Sequence, residues 1–144
     1  ITQEEKRMRK YVISFIGATF VILGISGPAQ SVEGWTNYKP GVVKSALANG
    51  KTTLIFYKST WWGTCARQSR VLNKLRESEP KYNQSITFVL VDWDTYKKHE
   101  VTTSRKIPRR STLVLIKNGG EVKRLVAQTS EEKIKTLLDI GITK

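Results

Sequence analysis

Sulfur is nearly absent from this chain, which holds one cysteine and one methionine in 144 residues. A single cysteine, Cys65, excludes an internal disulfide and any metal cluster built from cysteines. Histidine is equally scarce. His99 stands alone in a charged stretch with no partner at metal-ligand spacing, so it reads as a structural side chain, and no cofactor or metal motif is visible. Acidic residues are short as well: 12 Asp and Glu face 25 Lys and Arg, for a formal net charge of +13. That excess draws the protein toward anionic surfaces. Yet the basic residues beyond the N-terminal segment are spread from Lys39 to Lys144 and form no arm. No helix-turn-helix, zinc finger or RNA-binding aromatic signature accompanies them, so they read as a solvated basic surface rather than a nucleic-acid site. Internal repeats and low-complexity linkers are also missing, and the length suits one domain with one core.

What is present begins with an apolar run. Tyr11 to Gly27 carries no charge, follows Arg7-Met8-Arg9-Lys10, and leads into Pro28-Ala29-Gln30-Ser31. A basic flank, an apolar centre and small residues at Ala29 and Ser31 make the plan of a secretory signal cleaved after Ser31. A start at Met8 gives that signal a compact form and makes residues 1–7 an upstream extension. The run also sits at the lower limit for crossing a bilayer, so an uncleaved anchor through residues 11–27 stays open. Either way, residues 1–31 are expected to be a signal peptide or membrane anchor, and residues 32–144 the working domain. That domain is expected to be exported, in the periplasm or held on the extracytoplasmic side of the cell envelope.

The working domain alternates strand and helix patterns. Val32 to Pro40, with Trp35 and Tyr38, supplies a first edge strand, and Pro40 to Ala48 reads as a helix closed by Asn49-Gly50. Thr53–Tyr57 reads as a buried strand and Gly63 to Ser78 as a helix with Val71, Leu72 and Leu75 on its inner face, stopped before Pro80. Ile86–Asp92 is an apolar run suited to a strand covered on both sides, and a polar helix is expected over Thr95 to Ser104. Strands at Ser111–Lys117 and Glu121–Ala127 flank the hairpin signal Asn118-Gly119-Gly120. Ser130 caps a last helix, with Ile134, Leu137 and Leu138 on one face, ended by Gly141. Early alternation implies parallel crossovers and the late hairpin adds antiparallel strands.

The stretch around Cys65 carries the chemistry. A cysteine that opens a helix just after a buried strand meets unpaired backbone N–H groups and the positive end of the helix dipole, both of which favour a thiolate. The residues at this junction are Trp61-Trp62-Gly63-Thr64-Cys65. Here the chain resembles the thioredoxin superfamily, whose motif at the same strand-to-helix junction reads Trp-Cys-Gly-Pro-Cys. The resemblance covers roughly Trp35 to Ile142 and extends to the hairpin sequence. It implies an α/β thioredoxin fold, a mixed four- to five-stranded sheet flanked by helices, and partners that are protein thiols or disulfides, with glutathione as a further candidate.

The same resemblance assigns positions. Cys65 falls on the resolving cysteine, while Trp62 takes the place of the attacking cysteine, which is lost. Phe56 stands where the family has a buried acid. Ser111 stands where it has a cis-proline, Pro108 lying three residues too early. Trp61, Gly63, Thr64, Ser111 and Thr112 are the expected substrate contacts, and Lys58 and Arg67 the expected cations beside position 62. Exchange within one chain needs two thiols, so an ordinary dithiol cycle is excluded. Three readings stay open: an oxidoreductase lineage whose cycle is lost, a lone Cys65 forming mixed disulfides or a disulfide-linked dimer, and a non-catalytic module that holds extended peptides on Trp61 and Trp62 beside Ser111. Trp62 is expected at the surface and Trp61 against the turn. Cys65 is either a reactive thiol or a buried inert one.

Overall fold

The computed structural model describes residues 34–144, and the expected signal or anchor over residues 1–31 lies outside them. In chain order the elements are β1 (Trp35–Asn37), α1 (Val42–Ala48), β2 (Thr53–Lys58), α2 (Gly63–Ser78), α3 (Lys81–Ser85), β3 (Thr87–Asp92), α4 (Trp93–Tyr96), α5 (Glu100–Thr103), β4 (Thr112–Lys117), β5 (Gly120–Val126) and α6 (Glu131–Ile142). The strands form one mixed sheet in the order β1-β3-β2-β4-β5. The first three run parallel, and β4 and β5 are antiparallel, so the fold is the expected one with five strands.

Alternation along β2 explains the layering. Leu54 and Phe56 enter one core with Cys65, Leu72, Leu75, Ile134, Leu137 and Leu138, under α2 and α6. Ile55 and Tyr57 enter the other with Val43, Val101 and Ile107, under α1 and the α5 region. Covered on both sides, β2 is buried along all but its last residue, as β4 is, and its C-terminal end presents the turn that carries the motif. The β4–β5 hairpin closes through Asn118 and Gly119, both at positive φ (52° and 79°), as a two-residue turn of this type requires.

Three local expectations are corrected. The helix expected over Thr95 to Ser104 is two short ones, because His99 interrupts it and its Nδ1 accepts the Val101 N–H at 3.2 Å, capping α5. Gly141 does not end the last helix. It lies buried in its final turn, where an added Cβ would stand 2.6 Å from Ile86 Cδ1, so a glycine lets α6 approach the sheet. The short helix α3 has no counterpart among the expected elements. Its one buried residue, Tyr82, packs into the core and places its hydroxyl on the Asp139 carboxylate of α6.

Candidate functional site

Cys65 sits in the first turn of α2, fully buried. Its Sγ lies 2.7 Å from Ser111 Oγ, which joins the helix to the segment leading into β4. Ser111 is itself buried and adopts a left-handed backbone, φ 62°, that costs a residue with a Cβ about 1 kcal/mol or more. Surrounding bonds hold it there. Its N–H donates to Tyr57 O at 2.8 Å, and its carbonyl accepts from Ala127 N–H at 2.8 Å and from Gln68 Nε2 at 3.0 Å. Gln68 also donates to Gln128 O at 2.9 Å, so one amide ties α2 to both the β4 and β5 ends. Ser111, not Pro108, is thus the residue that meets Cys65.

The two indoles behave oppositely to the expectation. Trp62 is the N-cap of α2 with an extended backbone, and its ring is partly buried against the core cluster that includes Phe56, Cys65 and Leu113. Trp61 is the exposed one, at 63%. Backbone direction decides between them: the N-cap residue has the helix and sheet beneath it, whereas the turn residue before it has none. Trp61 still makes specific contacts. Its Nε1 donates to Asp94 at 2.9 Å, and its ring meets that of Trp62 edge to face at 5.3 Å.

Arg110 completes the cluster, with its guanidinium 4.5 Å from the Trp61 ring centroid and 4.8 Å from that of Trp62. The cation beside position 62 is therefore Arg110. Lys58 instead faces Asp92 across the β2–β3 ladder, and Arg67 is exposed on α2. Gly63 is exposed, Thr64 half-buried and Thr112 buried, the last donating its hydroxyl to Arg109 O at 2.7 Å. Phe56 is buried against Trp35, ring centroids 5.8 Å apart, so no acid lies beneath the sulfur at this position. Sequence reasoning missed Arg110, Gln68 and Asp94. Gln68 had a signal: it is the polar residue on an apolar stripe with Cys65, Leu72 and Leu75.

Chemically the site holds one sealed sulfur beside an exposed indole, Trp61. Ser59 Oγ, Trp62 Nε1, Gln68 Oε1 and Arg110 Nη1 are buried atoms without a hydrogen-bond partner. All four belong to residues linked through the motif turn and Ser111. The main-chain N–H and C=O of Arg110 also find no partner among the described residues.

Comparison with known proteins places this geometry. The family model described as thioredoxin matches residues 36–140. Thioredoxin H-type 1 of Nicotiana tabacum is 27% identical over 109 residues, 76% of this chain and 79% of its own length. Among solved structures, Trxlp from Edwardsiella tarda superposes with a TM-score of 0.65 at 28% identity, covering 72% of this chain and 97% of that one. Schistosoma mansoni thioredoxin gives a TM-score of 0.60 at 25% identity, covering 74% and 94%.

Proposed function

The chain belongs to the thioredoxin family, and on that premise we propose that it is a member whose disulfide cycle is lost and whose motif face binds extended segments of partner proteins. The observation that carries the reading is the sealed sulfur. Cys65 is fully buried against Ser111, and the position of the attacking thiol is filled by an indole packed on the core. A thiolate must reach a disulfide in line to attack it, and this sulfur has no path to solvent in the folded chain. Mixed disulfides with glutathione, or a disulfide-linked dimer, need the same access.

Binding remains available. Exposed Trp61, the unbonded main chain of Arg110 and the open space over Gly63 together suit an extended peptide laid across the turn. Insulin reduction with dithiothreitol tests the catalytic half. The expected rate equals that of a Cys65→Ser control; turnover well above that control would overturn the proposal.

The same proposal places the domain outside the cytoplasm, in the cell envelope, on the strength of the basic flank and apolar run at residues 7–27. Fractionation of the full chain with a C-terminal tag tests it. Recovery of the tag with envelope or periplasmic markers is expected, and recovery with cytosolic markers would contradict it.

A further inference from the structure

His99 is the chain's only histidine. It lies half-buried between α4 and α5 and is the N-cap of α5. Its Nδ1 accepts the Val101 N–H at 3.2 Å. A nitrogen that accepts carries no proton, so the neutral ring holds its proton on Nε2. An imidazolium has two donors and no acceptor, and it cannot make this bond. The cap therefore exists only in the neutral form.

Other bonds depend on where α5 sits. Val101 is buried and offers its carbonyl to the Tyr57 hydroxyl at 2.6 Å, which ties α5 to β2. Thr102 O accepts the Ile107 N–H at 3.2 Å, and Thr103 O accepts that of Lys106 at 3.1 Å. Lys106 has a left-handed backbone, φ 52°, so α5 itself holds the strained turn that follows it. From Ile107 the chain runs through Pro108 and Arg109 to Arg110 and Ser111 at the motif face. The rings of Tyr38 and Tyr96 meet that of His99 edge to face at 5.8 and 5.6 Å. The charged groups around it are Glu100 in α5, Arg105 beyond α5, and Lys97 and Lys98 before it.

We propose that His99 is an acid-sensitive latch, whose protonation breaks the cap and loosens α5 with the turn that leads to Arg110 and Ser111. The contribution of the cap is present in full above the ordinary histidine pKa of about 6.5 and is lost as pH falls below it. The latch stands whether or not the motif face binds peptides.

Amide hydrogen exchange of Val101 and Ile107 in the full chain tests it, corrected for intrinsic rates and followed from about pH 8 to about pH 5. His99→Asn keeps an N-cap acceptor that does not titrate, and His99→Ala removes the acceptor. In the parent, protection of both amides is expected to fall about fivefold across this range, or about 1 kcal/mol. The asparagine variant should show no such fall, and the alanine variant should be weakly protected throughout. Ring-nitrogen chemical shifts of the single imidazole should place its proton on Nε2 at the upper pH. Flat protection in the parent would overturn the proposal, as would an equal fall in His99→Asn, which would assign the effect to carboxylates. An alanine variant as protected as the parent at the upper pH, or a proton on Nδ1, would overturn it too.

Discussion

At Ser111 a left-handed backbone, a buried hydroxyl and three backbone-directed bonds meet the only sulfur of the described residues. Proline fixes φ near −65° and has no N–H, so it can neither adopt this conformation nor donate to Tyr57 O. Ser111→Pro is therefore expected to cost about 3 kcal/mol or more, read as a lower denaturant midpoint. A variant as stable as the parent would show that the surrounding bonds do not hold this backbone. Residue by residue, the site was legible where position alone decides. Cys65 opens a helix after a buried strand, and Ser111 precedes the hairpin strand by alignment. Which of two adjacent indoles turns inward was not legible, because the N-cap geometry that decides it is set by α2 and the sheet together. Arg110 was invisible for a similar reason, since its aromatic partners are distant in sequence.

Among the elements, α2 carries the clearest experiment. Trp62→Cys puts two thiols three residues apart across its first turn, with Arg110 in place to favour a thiolate at position 62. The variant is expected to form a disulfide with Cys65 and to gain partial insulin-reductase activity, held back by Phe56 where an acid would assist proton transfer. Losing a partly buried indole should cost about 2 kcal/mol, below the range for a fully buried one. A folded variant that keeps two free thiols and no activity would remove the support for an oxidoreductase ancestry of the site.

Two buried tyrosines also join elements. Tyr57 of β2 donates to Val101 O of α5 at 2.6 Å, and Tyr82 of α3 donates to Asp139 of α6. Burial, aided for Tyr82 by Asp139, pushes both hydroxyls up to about 12 from the ordinary 10.0. The raised values mean that the stability they contribute is present in full below pH 10, where both states are protonated. It is lost as pH rises through about 12, since the unfolded chain ionises first. Across that window Tyr57 is expected to lower the stability by about 1.4 kcal/mol for every pH step of one, and Tyr82, whose partner Asp139 is part-exposed, by less. Tyr82→Phe should shrink the fall; an unchanged alkaline profile in that variant would contradict the assignment.

At the scale of the molecule, the order of strands and helices was legible because the apolar period changes from two to helical and back along the chain. The short pieces were not. Lys81–Ser85 offers one apolar residue, too few for a period, and the break at His99 depends on a side-chain cap. The family follows from the whole domain, whereas the reading of its function hangs on how tightly that domain closes over one atom. Native-state alkylation of Cys65 by iodoacetamide, followed across denaturant concentration, measures that closure. The account predicts that labelling tracks global unfolding and that native protein in buffer reacts orders of magnitude more slowly than the unfolded chain. A native Cys65 that reacts at the rate of a free thiol, independent of denaturant, would contradict the sealed-sulfur claim and restore thiol chemistry to this site.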